Sequence, residues 1–193
     1  MNKYKIQIYA LIFLGGIIMI FLIDNDQVKK SAPLQNSTEN IFSPNDVSDP
    51  FDLVPPNWTR VTPKSSMRLA EFNVNNNSGS YDVIVFKNIG GTENQNIERW
   101  FNQFSGDYLP QLEKQSESMD IRGSKLIYVQ TSGSFNGGMG QSAPIDAAGL
   151  MGFIINTKED VYYFKAVADA KIIAEGKRDF VQTVLSLPIF ILI

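Results

Sequence analysis

Three kinds of hydrophobic pattern follow one another along the chain. From Ile6 to Ile23 eighteen consecutive residues are apolar except for Gln7. Residues 24 to 50 then hold few large apolar side chains and many Asn, Ser, Asp and Pro. From residue 51 onward, short segments of strand-like composition alternate with stretches whose apolar residues recur at helical spacing. The segments Met67 to Val74, Tyr81 to Lys87, Lys125 to Gln130, Gly149 to Asn156 and Val161 to Ala168 are rich in β-branched and aromatic residues and read as strands. Short polar connections, Asn75 to Gly79 and Thr157 to Glu159, make antiparallel hairpins of the first two and the last two. Val83, Ile84, Val85 and Phe86 are apolar in succession, so part of the sheet needs cover on both faces, and helices have to supply it.

The clearest helix starts at Thr92, whose hydroxyl can cap it while Gln95 reaches back in a capping box. Ile97, Trp100, Phe101 and Phe104 follow at i, i+3, i+4 and i+7, a stripe that packs on the sheet. Gly106 is a stop signal, and Pro110 opens a second, weaker helical stretch with Leu109 and Leu112. A third helix is predicted from about Ala170 to Leu185, burying Ile173, Phe180 and Val184 and ended by Pro188. The apolar tail beyond, Ile189 to Ile193, is far too short to span a bilayer and is predicted to be buried within the domain. The order is two strands, helix, three strands, helix. The predicted fold class is therefore α+β, an antiparallel β-sheet flanked by helices, preceded by one N-terminal transmembrane helix.

As a helix, the run of residues 6 to 23 would be ~27 Å long, close to the thickness of a bilayer's hydrocarbon core. A cleaved leader needs small residues in an A-x-A-like pattern after the apolar stretch, and the exit here reads Leu22, Ile23, Asp24, Asn25, Asp26. A permanent anchor is favoured over a leader whose removal would leave a secreted domain. Lys3, Lys5 and the terminal amine precede the span, whereas Lys29 and Lys30 beyond it are offset by Asp24 and Asp26, which puts the N-terminus in the cytoplasm. Three segments result: a membrane anchor over 1–23, a disordered linker over 24–50 and an extracytoplasmic domain over 51–193.

Composition narrows the chemistry. A net charge of −3 and a pI near 5.0 give no electrostatic footprint for nucleic acid. The chain has no cysteine, which excludes disulfides, thiolate metal sites and lipid acylation of a leader. It also has no histidine, and so lacks the usual general base and the commonest metal ligand. Neither a metal nor a cofactor is expected.

Trp58, then Met67, Arg68, Ala70 and Phe72, then Asn96, Arg99, Trp100 and Gln103, and finally Tyr163, Phe164 and Lys165 form a pattern that resembles uncharacterised bacterial envelope proteins and lipoproteins. The resemblance covers most of residues 57 to 187. It implies a PsbP/Mog1-like sandwich, an antiparallel sheet between helices, in which several members serve as accessory or binding modules. Many such chains enter the envelope through an acylated cysteine, and this one departs from them in carrying an apolar span.

Three features are candidate sites, each with a plainer structural use. Gly90, Gly91 and Thr92 between a strand and a helix could receive an anion, or could simply turn the chain. The polar row Asn96, Arg99 and Gln103 on the first helix could hydrogen-bond a ligand carboxylate or peptide, or could cap loops and pair with Glu71 or another acid. The loop Thr131 to Ile145, with Gly133, Gly137, Gly138, Met139 and Gly140, could bind a partner or be an unconstrained connection. The functional expectation is a membrane-tethered, non-enzymatic binding or accessory module in a bacterial envelope, its partner a protein or small ligand. A hydrolase using an Asp/Glu pair and a purely structural envelope protein are the alternatives.

Overall fold

The computed structural model describes residues 49–137 and 144–190. The chain divides after Asp46, and all described residues belong to the second unit, Val47–Ile193. The expected anchor over 1–23, nearly all of the linker, Gly138, Met139 and Gly140, and the last three residues of the tail lie outside the described residues. Among the described residues no helix is long and apolar enough to cross a membrane.

The fold is α+β. Eight strands form one antiparallel sheet: β1 (Trp58–Val61), β2 (Ala70–Asn76), β3 (Gly79–Lys87), β4 (Phe104–Ser105), β5 (Gln115–Ile121), β6 (Ser124–Phe135), β7 (Ile145–Asn156) and β8 (Val161–Asp169). The order across the sheet is β1-β2-β3-β8-β7-β6-β4, with β5 also pairing along β6. Helix α1 (Glu93–Phe101) and helix α2 (Ala170–Ser186) complete it. Because side chains alternate across a strand, the central strands β3, β6, β7 and β8 feed two cores. Phe72, Val83, Phe153 and Phe164 point to one face, under Ile173, Phe180 and Val184 of α2. Ile127, Val129, Leu150, Ile154 and Tyr163 point to the other, under Ile97, Trp100 and Phe101 of α1. This is the two-sided cover that the apolar run Val83 to Phe86 demanded.

The five expected strands and both strong helices are present, but the element order has to be corrected. Three strands were not anticipated. β1 is four residues long and is preceded by Pro55 and Pro56 and followed by Pro63, too short for a period to show. β4 has only two residues. β5 reads Gln-Ser-Glu-Ser-Met-Asp-Ile, an edge strand with one row of side chains exposed and only Met119 and Ile121 apolar in the other. The weak helix expected at Pro110 is a single 3-10 turn over Pro110–Leu112. It buries Leu112 against the sheet and leaves Leu109 exposed. Thr131 to Phe135 is not loop but the end of β6, and β7 begins at Ile145, so the connection between them covers only 136–144. Leu187 is buried in the α2-side core, and so is Ile189, the first residue of the apolar tail, as expected.

Candidate functional site

Helix α1 covers only part of its sheet face. It crosses at Gly152, where a Cβ would meet the Trp100 ring at 2.7 Å, and its chain leaves at Asn102. Beyond it the same face carries Glu71 and Asn73 from β2, Asp82 and Ile84 from β3, and Val167 from β8. All of these but the buried Glu71, which lies behind Lys64 and Arg68, line a cleft of about 520 Å³ that reaches round the strand ends to Asp169 and Ile172 at the start of α2. Ile84 and Val167 give it an apolar floor; Lys64, Arg68, Asp82 and Asp169 give it charged walls.

The β2 wall is an ion-pair network. Arg68 Nη1 donates to Glu71 Oε2 at 2.7 Å, with the two side chains 6% and 0% exposed. The Lys64 backbone N–H donates to the same oxygen at 3.1 Å. The Lys64 ammonium lies 2.9 Å from Asp82 Oδ2 and 3.3 Å from Glu71 Oε1, and Asn73 Nδ2 donates to Asp82 Oδ1 at 3.1 Å. Burial pushes the Glu71 carboxyl up, but Arg68 and Lys64 outweigh it and hold it below the usual carboxylate range. Asp82 is likewise lowered, burial opposing and the Asn73 and Lys64 hydrogen bonds prevailing. Lys64 is raised, first by Asp82 and then by Glu71. Both carboxylates are thus kept ionised near neutrality and are poor proton donors.

Of the polar row expected on one helix, Asn96 and Arg99 lie on α1 and Gln103 lies past its end, and all three are used by their own surroundings. Asn96 is fully buried, and its Nδ2 donates to Thr92 O at 2.9 Å and to Gly90 O at 3.4 Å. Arg99 Nη2 donates to the same Gly90 carbonyl at 3.5 Å. Gln103 Oε1 accepts from Lys165 Nζ at 2.5 Å. Lys165 is buried on β8 beneath the end of α1, and that burial pushes its ammonium down to about 7. Glu71, offered above as a partner for Arg99, pairs with Arg68 and Lys64 instead. The outer side of Arg99 and Gln103 faces an open depression with Asn94, Glu98 and Asn102.

At the Gly90–Thr92 turn, the Thr92 backbone N–H donates to Gln95 Oε1 at 2.8 Å and Thr92 Oγ1 accepts from Gln95 N at 3.2 Å. The capping box therefore uses donors that an anion would need. Gly133 has a steric reason to be glycine: its φ is +140° and a Cβ would lie 2.5 Å from Ser105 O of β4. Gly137, at φ +85°, ends the described part of the glycine-rich connection.

The cleft draws on residues the sequence reading did not single out as a site. Arg68 entered only through the resemblance, and Lys64, Asn73 and Asp82 not at all. The available signal was the set of polar residues at every second place in β2, Glu71, Asn73 and Asn75, opposite Phe72 and Val74.

No family model matches the chain, and no curated protein matches it. Thirteen solved chains match by structure. One of them, PA94 from Pseudomonas aeruginosa, a protein of unknown function, aligns with a TM-score of 0.46 and 9% identity over 68% of this chain and 96% of its own. A likeness at that level carries nothing about function.

Proposed function

We propose that this chain is a non-enzymatic binding module, moored to a bacterial cytoplasmic membrane by residues 6–23 with its folded domain outside the cytosol, and that it recognises its partner in the cleft beyond α1. The observation that carries this reading is the cleft itself: an apolar floor with a few fixed charges on its walls is the usual make-up of a recognition site. The anchor rests on the apolar run and the lysines before it, and the linker on the composition of residues 24–50. The kinship with PsbP/Mog1-like envelope modules rests on the residue pattern from Trp58 to Lys165, and an antiparallel sheet with a helix on each face is the architecture such kinship implies. The hydrolase reading is weakened by the lowered Glu71 and Asp82, because a carboxylic general acid needs its pKa raised.

Two measurements test the proposal. The full-length chain should stay with membranes in a carbonate wash; recovery of a soluble product starting near residue 30 would remove the anchor. In detergent, compounds or peptides that raise the Tm of the full chain should lose their effect in Asp82→Asn. Hits indifferent to every cleft substitution would remove the cleft. A deletion aimed at the glycine-rich connection should be confined to 137–143, since 131–135 belong to β6.

A further inference from the structure

Lys64 stands out in the cleft. Its side chain is 65% exposed, yet its ammonium sits between two carboxylates, one of them fully buried. Those carboxylates are held in place without it. Asp82 is fixed by Asn73 Nδ2, and Glu71 by Arg68 Nη1 and by the Lys64 backbone N–H. What Lys64 adds, beside the more distant charge of Arg68, is an ammonium within ion-pair distance of both Asp82 Oδ2 and Glu71 Oε1. Glu71 Oε1 is buried, accepts no hydrogen bond, and lies 3.3 Å from the Lys64 ammonium. A buried carboxylate oxygen left in that condition costs free energy, whereas an exposed lysine is only weakly held where it is. The position of that ammonium is therefore a receptor for a cation, filled by a loosely held side chain of the protein itself.

We infer that the cleft takes an organic cation bearing an ammonium on an aliphatic stem, whose head displaces Lys64 from between Glu71 and Asp82 while the stem lies on Ile84 and Val167. This rests on the cleft reading above and names the class of ligand. The charge pattern points the same way. With Lys64 in place the walls already carry more carboxylates than cations, since Lys64 and Arg68 face Glu71, Asp82 and Asp169. Once it swings into solvent, Arg68 stays paired with Glu71, while Asp82 keeps the Asn73 amide and Asp169 keeps the Lys171 backbone N–H as the cap of α2, two acids on either side of the apolar floor without an ion pair. Two acids that are hydrogen-bonded but not neutralised, flanking an apolar strip, suit a dication with an alkyl spacer, and they repel an anion. The same ammonium chemistry is available from a free diamine or from a lysine side chain of a protein partner.

The test uses the full-length chain in detergent with two probes, 1,5-diaminopentane and an Nα-acetyl-lysine amide peptide, read by calorimetry and by the 13Cε NMR signal of Lys64. Binding of either probe should move the Lys64 signal to the position of a free lysine. Lys64→Met, which removes the internal competitor, should bind at least tenfold more tightly than wild type, and Asp82→Asn should lose binding in both backgrounds. Lys64→Gln serves if Lys64→Met unfolds. Tighter binding of the diamine marks a small-molecule ligand, and tighter binding of the peptide marks a basic protein segment; both support the inference. Equal affinity in wild type and the Lys64 variants, or binding that survives Asp82→Asn, overturns it. If these probes fail while other ligands still depend on Asp82 in the Tm experiment, the ligand class falls and the cleft reading stands.

Discussion

Arg68 and Glu71 are three residues apart, and nothing in their spacing shows that both are buried; the turn that leads from Ser65 into β2 does that by laying the guanidinium over the sheet face. A buried pair is poor evidence of net stabilisation, but breaking it is costly because one charge stays behind. Arg68→Met is expected to lower unfolding free energy by ~3–5 kcal/mol in urea titrations, and the double variant with Glu71→Met should regain most of that. A double variant as unstable as the single one would show that Arg68 acts through other contacts. Gly152 is a second residue whose role the sequence hides, since a glycine in an apolar strand could mark a bulge or nothing. In the fold it is where Trp100 and the Phe164 carbonyl approach to 2.7 Å of a would-be Cβ. Gly152→Ala should cost about 1–3 kcal/mol through overpacking, read as a shift in denaturation midpoint at unchanged m-value.

Helix α1 was legible because its signals are local: Thr92 and Gln95 form the box, and Ile97, Trp100 and Phe101 make one apolar stripe. Thr92→Ala should therefore cost ~1 kcal/mol, and a loss near zero would mean that the sheet contacts alone hold the helix. β5 was not legible in the same way. Its alternating burial is real, but only Met119 and Ile121 of the inward residues are apolar, the others being Gln115 and Glu117, and the signal that could have found it is the turn Arg122–Gly123, where both φ values are positive, as a two-residue hairpin requires. The link from the end of α1 to the sheet is Lys165 with Gln103. Because the folded protein holds Lys165 at about 7 and an unfolded chain holds it near the ordinary value of 10.5, the unfolded state binds the extra proton between those values. Stability should thus rise from pH 7 toward pH 10, and below pH 7 this contribution levels off. Urea midpoints at pH 6.5, 8 and 9 should climb in wild type and lose this slope in Lys165→Met; an unchanged slope would assign it to other groups.

At the scale of the whole molecule, the two helices divide the work unequally. The longer α2 closes one face, whereas α1, nine residues long, covers only part of the other and leaves the Lys64, Arg68 and Asp82 cleft beside it. The carboxylates that meet Lys64 and Arg68 at that cleft come from β2, β3 and the end of β8, and the two cations from the segment before β2, so no short window of sequence contains them together. By itself the sequence determined what depends on neighbours along the chain: the apolar run of 6–23, the strands with β-branched and aromatic content, the caps and stops of α1 and α2, and the absence of cysteine and histidine with the chemistry that excludes. Tertiary structure alone decided what depends on distance between remote residues: the edge strands whose pairing comes from β6 and β2, the burial of Glu71 and Lys165, the use of Asn96 and Arg99 to hold a turn, and the cleft. The reason is physical, since period and capping act over a few residues, while a charge becomes buried, paired or free only when separate elements close around it.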